Sequence, residues 1–160
     1  SDDYGPTPFP SPRAVTDEVV RIGRREDSPE LIIAHYMPPH TPFIAESHDG
    51  EIVFRDEPRE RDSYSAYLDN LRWALQEVEL LLDNVERQNV VITADHGWVF
   101  FAQHLRSSHF PGGFTPDLRK VPWAKTEASD KGTHRPFEKG SEQMEGYNAK
   151  EMLEALGYAD

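Results

Sequence analysis

Cysteine is absent from the chain, which excludes a disulfide framework and any thiolate-ligated metal. Lysine is scarce. Of 17 basic side chains five are Lys and twelve Arg, against 29 Asp and Glu, for a formal net charge of -12. Nucleic acid and anionic lipid are bound mainly through Lys and Arg, so a field of this sign argues against both as partners. No stretch approaches the ~20 consecutive apolar residues that cross a bilayer. The first residues, Ser1-Asp2-Asp3-Tyr4-Gly5, have neither the basic region nor the apolar core of a signal peptide. Concentrated salt screens the self-repulsion of an acidic, Lys-poor surface. The composition therefore points to a halophile, and to a cytoplasmic location in a high-salt cytosol.

What is present suffices for one folded domain, since 160 residues can bury a real core even at 37% apolar composition. Residues 1–13 hold four prolines and read as an extended lead-in to a domain over 14–160. Val15, Val19, Val20 and Ile22 give a helical stripe from Ala14 to about Arg25, with Thr16 or Asp17 as its N-cap. Leu31-Ile32-Ile33-Ala34 is a short continuous apolar run, the pattern of a strand buried on both faces. It runs into His35-Tyr36-Met37-Pro38-Pro39-His40-Thr41-Pro42-Phe43, whose three prolines forbid further pairing. Residues 46–61 are polar and read as a surface loop, with a short hairpin around Ile52-Val53-Phe54. Ser63 to about Val85 is the clearest helix, with Tyr67, Leu71, Ala74, Leu75, Val78, Leu81, Leu82 and Val85 at a 3.6-residue period and a charged opposite side. A second buried strand is expected over Asn89–Ala94, and an amphipathic piece over Asn148–Leu156, capped by Gly157. Strand, helix, strand is the βαβ order of a parallel sheet.

Both expected strands end in polar residues, and ligands of open α/β sheets sit outside the carboxyl ends of the strands. His40, Asp95 and His96 are therefore where a site should lie. A carboxylate oxygen beside an imidazole nitrogen suits a divalent cation, and Gly97 would let the backbone turn beside the ion.

The run Val90-Val91-Ile92-Thr93-Ala94-Asp95-His96-Gly97 resembles the strand and metal-ligand motif of the alkaline phosphatase/sulfatase superfamily. Pro39-His40-Thr41-Pro42-Phe43 is similar to that family's Pro-His-x-Pro-aromatic segment, and Tyr67-Leu68-Asp69-Asn70 to the helix before its metal strand. The segment from His109-Phe110-Pro111 to Val121-Pro122-Trp123 resembles the closing segment of archaeal, especially haloarchaeal, sulfatase-like hydrolases, and Leu153-Glu154-Ala155-Leu156-Gly157-Tyr158 their ending. The resemblance implies the C-terminal portion of an α/β domain with a mainly parallel sheet flanked by helices. It implies Asp95 and His96 as ligands of one divalent metal: calcium in most sulfatases, zinc, manganese or magnesium in the phosphohydrolases. It implies His40 as a donor to a non-bridging oxygen of a sulfate or phosphate ester, and His109 across the pocket near the leaving group. Metal and imidazolium donors would stabilise the charge on the transferring group.

The departures are equally specific. The family attacks with a formylglycine, Ser or Thr placed near the N-terminus beside acidic metal ligands, and neither feature is recognisable here. A sulfatase-like hydrolase would thus draw its nucleophile, and half its metal shell, from an N-terminal portion of the same domain outside this chain. A phosphohydrolase or phosphotransferase of the superfamily, and a non-catalytic relative binding a partner or an anionic glycan, stay open beside it. Trp98 stands where many relatives carry an acidic residue. Of the remaining histidines, His48 and His134 read as solvent-exposed, while His35 and His104 have no clear role. Trp73 and Trp123 read as packing residues, and Arg119 and Lys120 as members of surface ion pairs.

Overall fold

The computed structural model describes residues 11–59, 64–100, 107–108 and 115–137. Ser11 starts the first helix, α1 (Pro12–Gly23): its Oγ accepts the Ala14 N–H at 3.2 Å, and Pro12 occupies the first turn, where a missing N–H costs nothing. The cap thus precedes the Thr16 and Asp17 that the sequence offers. Both of those are buried within the helix.

A hairpin follows, β1 (Phe43–His48) against β2 (Glu51–Arg59), turned by Asp49-Gly50 with φ of 50° and 88°. Asp-Gly is the pair that two-residue hairpin turns favour, because both positions need positive φ. The short hairpin expected around Ile52-Val53-Phe54 is thus present, and it is longer than expected, taking in much of the polar stretch read as surface loop. Phe43, Ile44 and Ala45 are buried, and Ile44 and Ala45 pack with Trp73 of the long helix α2 (Tyr64–Leu82). The buried face of α2 is Ala66, Asn70, Trp73, Ala74 and Glu77, while Leu75 of the expected apolar stripe is exposed. Each buried polar group on that face is satisfied. Asn70 Oδ1 accepts the N–H groups of Ile44 and Ala45 at 3.3 Å, and its Nδ2 donates to Ala66 O at 2.8 Å. The Glu77 carboxylate takes three bonds from the Arg13 guanidinium, at 2.8, 2.9 and 3.1 Å.

The strand β3 (Arg87–Thr93) leads to a two-residue ladder of β4 (Val99–Phe100) with β5 (Ser107–Ser108), then to the single turn α3 (Pro116–Arg119) and to β6 (Trp123–Ala128). β6 returns antiparallel along β3, pairing Thr93 with Trp123 and Val91 with Lys125. Val19, Val20, Val85 and Ala128 form the core between the helices and this ladder, with Ile32, Ala34, Leu81 and Val90 packed against them. Fully burying a side chain such as Val20 contributes roughly 1.5–3 kcal/mol.

A mainly parallel sheet is not what forms. The described residues hold three antiparallel two-stranded ladders and three helices, with no large parallel sheet. Two physical reasons account for the difference. Leu31-Ile32-Ile33-Ala34 belongs to no sheet, and its exposure alternates: Ile32 and Ala34 turn to the core, while Leu31 (75% exposed) and Ile33 (82%) face outward. β3 takes its hydrogen-bonding partner from β6, which follows the α3 turn, and Gly97 N–H, just past β3, donates to Leu118 O of α3. Helices cover one side of this layer, so neither apolar run is buried on both faces. No helix among the described residues is long and apolar enough to cross a membrane.

Candidate functional site

The loop after β3 carries Asp95 and His96, and its shape is set from both sides. On the strand side, Thr93 Oγ1 donates to Pro122 O at 2.8 Å. On the loop side, Gly97 N–H donates to Leu118 O at 2.9 Å, and a Cβ on Gly97 would stand 1.9 Å from Asp117 O and 2.8 Å from Lys120 O. Glycine is required here by the close approach of the α3 turn. Its φ is not positive, so the sharp turn expected from the sequence is not the reason.

Asp95 Oδ1 accepts the His96 N–H at 2.9 Å, which folds the carboxylate back toward the following ring. His96 Nδ1 lies 2.9 Å from Gly97 O. A carbonyl only accepts, so Nδ1 carries the hydrogen and the neutral ring has its lone pair on Nε2. That nitrogen faces Asp95 Oδ2 at 3.7 Å. Two donors at this separation can reach one cation together, because bonds from imidazole or carboxylate to such ions are about 2.0–2.6 Å long. Asp95 is exposed and His96 half-buried, so the pair opens toward solvent.

His40 arrives from the other end of the chain's first half. A turn bond from His40 N to Met37 O (2.9 Å) fixes the backbone, and Nδ1 donates to Thr41 O at 2.6 Å. The two imidazoles thus share one arrangement, each anchored through Nδ1 to a neighbouring carbonyl and each carrying its Nε2 lone pair outward from that anchor. The His40 ring meets Trp98 edge-on at 5.9 Å, and Trp98 also packs with Phe43 (6.5 Å) and Tyr67 (6.1 Å). Burial and the neighbouring Tyr64 push the Tyr67 hydroxyl above its ordinary pKa, so it stays a neutral phenol.

The structure therefore gathers His40 and the Asp95-His96 loop around Trp98. His109 and His104 lie outside the described residues, as does Asn148–Leu156. Among the described residues no group of three or more His, Asp or Glu converges as a metal site, so Asp95 and His96 offer two ligands of a shell. Sequence reasoning treats Trp98 only as a departure from the family pattern, yet it is the residue that joins the two segments. His35 is exposed on the 31–36 segment, and Trp123, expected in packing, is 66% exposed. No family model matches the chain, and no curated protein or solved structure matches it either.

Proposed function

We propose that this chain carries the C-terminal share of the active site of a metal-dependent, sulfatase-like hydrolase of sulfate esters. The reading rests on one observation above the rest: Asp95 Oδ2 and His96 Nε2 face each other at 3.7 Å in a loop that Trp98 ties to His40. A carboxylate and an imidazole pre-oriented by an Nδ1 hydrogen bond are the donor types that hold a divalent cation. Calcium is the ion the family resemblance favours. Bound there, it would supply Lewis-acid stabilisation of charge on the ester's peripheral oxygens. His40, anchored through Nδ1, would donate from a protonated Nε2 to a non-bridging oxygen. His109 takes the leaving-group side in the same reading.

The nucleophile and the remaining metal ligands would come from an N-terminal portion of the same domain. The exposed Leu31, Ile33, Val91 and Trp123 support that part of the proposal, because they are apolar surface that such a portion could cover. The acidic, Lys-poor surface fits work in a high-salt cytosol.

The test is metal content after exhaustive dialysis of the full-length protein, with turnover of nitrophenyl sulfate and nitrophenyl phosphate. Bound divalent metal and preferential sulfate-ester turnover are expected. A full-length protein that retains no metal and turns over neither ester would overturn the proposal.

A further inference from the structure

From Leu31 to Tyr36 no backbone N–H or C=O takes part in a hydrogen bond among the described residues. Backbone groups beside a core are nearly always paired. The segment is nevertheless held extended. Burial alternates along it, with Ile32, Ala34 and Tyr36 turned in and Leu31, Ile33 and His35 turned out, which is the period of a strand. Arg87 Nη2 pins its start, donating to Ser28 Oγ at 2.5 Å and to Pro29 O at 3.2 Å. Its end is pinned where the Tyr36 hydroxyl meets the buried Thr16 Oγ1 at 3.0 Å. Roughly 20 Å of chain, at about 3.3 Å per residue, is thus fixed in strand form with its hydrogen-bonding groups unused.

Free strand edges are usually blunted by charge, above all by Lys, or by proline. Other strands here follow that rule: β2 carries Glu51 and Arg55, and β6 carries Lys125 and Glu127. Leu31–Tyr36 has no Asp, Glu, Lys, Arg or Pro, in a chain whose charged fraction is 29%. The ligand that fits such an edge is an extended polypeptide. Main-chain groups supply its bonds, and the exposed Leu31 and Ile33 supply apolar contact. Because the edge is already ordered, the incoming strand alone loses conformational freedom.

We propose that Leu31–Tyr36 takes up a strand from the N-terminal portion of the same domain. That choice of occupant rests on the division of the active site proposed above, and continuity with the candidate site favours it. The segment runs on into the turn that carries His40, and His40 meets Trp98 beside the Asp95-His96 loop. A strand laid along it therefore has one end beside the candidate site, where the remaining metal ligands are needed. A second copy of this chain is a poorer occupant, since each copy carries a net charge of -12.

Hydrogen exchange and photo-crosslinking on the full-length protein test the pairing. An added strand bonds alternate amides, so about half of those in peptides over 31–36 should exchange on the order of a hundredfold slower than their intrinsic rates. Leu31→benzoylphenylalanine leaves the packed Ile32 and Ala34 in place, and irradiation should join it to peptides of the same molecule that precede Ser1. Intrinsic exchange throughout 31–36, while β3 and α2 stay protected, would refute the proposal. So would a crosslink between two copies, one confined to residues 1–160, or none. The metal site is judged separately. A full-length protein that binds no metal but gives the expected crosslink loses the metal site and keeps the strand; one that binds metal with 31–36 unprotected does the reverse.

Discussion

Trp98 sets its indole against the His40 imidazole at 5.9 Å with an interplanar angle of 82°. An edge-on aromatic pair of this kind is worth about 0.5–1.5 kcal/mol beyond the area it buries. It is also the physical link between the Asp95-His96 loop and the proline-rich segment that carries His40. Trp98→Ala should cost roughly 3–5 kcal/mol in urea unfolding, the usual range for removing a packed Trp. It should also move the His40 ring resonances in the proton NMR spectrum. Unshifted His40 resonances would separate the two segments.

Gly97 gives a sharper steric test. A methyl group there meets the Asp117 carbonyl at 1.9 Å, a backbone atom with no room to yield. Gly97→Ala should destabilise the chain by about 1–3 kcal/mol or more, as overpacking does. Loss of less than about 0.5 kcal/mol would show that the α3 turn does not grip the loop.

The buried carboxamide of Asn84 joins three parts of the chain. Its oxygen accepts from Arg24 Nη2 at 3.1 Å and from the His134 N–H at 2.7 Å; its nitrogen donates to Leu80 O and Thr133 Oγ1, both at 2.9 Å. Asn84→Ala leaves these groups without their partner; Arg24 and Thr133 are exposed and can turn to water, whereas a group kept from water costs about 1–3 kcal/mol when left unsatisfied. Thermal unfolding should show a drop of several degrees. An unchanged midpoint would mean that water replaces the side chain without loss.

Tyr36 fixes the alkaline limit. Burial pushes its hydroxyl up to about 12, with the bond to Thr16 pulling the other way and Glu77 adding a smaller rise. The folded value lies above the ordinary one near 10, so the fold favours the neutral phenol. That contribution is fully present below pH 10 and is lost as pH rises through about 12. Absorbance titration at the phenolate band should show one tyrosine ionising late. Tyr36→Phe should remove the part of the stability loss seen across that window, whereas an identical alkaline profile would contradict the assignment.

Which of these features could be read in advance depends on the range of the interaction. The β3 strand, the α2 helix and the polar loop at Asp95-His96 follow from local periodicity, and the structure contains them. The short hairpin expected around Ile52-Val53-Phe54 is there too, and the Asp49-Gly50 pair that turns it is a local hairpin signal. The Ser11 cap competes with Thr16 and Asp17 for one helix start, and only burial shows that the latter two serve the interior. The apolar stripe of α2 misleads because Asn70 and Glu77 are stabilised by partners distant in sequence, Ile44, Ala45 and Arg13. His134 reads as exposed for the same reason: its partner Asp17 lies at the opposite end of the described chain. The parallel sheet fails as an expectation because periodicity identifies apolar strands without naming the neighbour that takes their hydrogen bonds.

The most direct measurement on the candidate site is calcium binding by the dialysed full-length protein, followed by titration calorimetry with Asp95→Ala and with Asp83→Asn as a control. Asp83 pairs with Lys131 beyond the end of α2 and has no part in the loop. The expected result is calcium bound by the native protein and by Asp83→Asn, and lost in Asp95→Ala. Undiminished calcium affinity in Asp95→Ala would contradict the assignment of Asp95 and His96 as ligands.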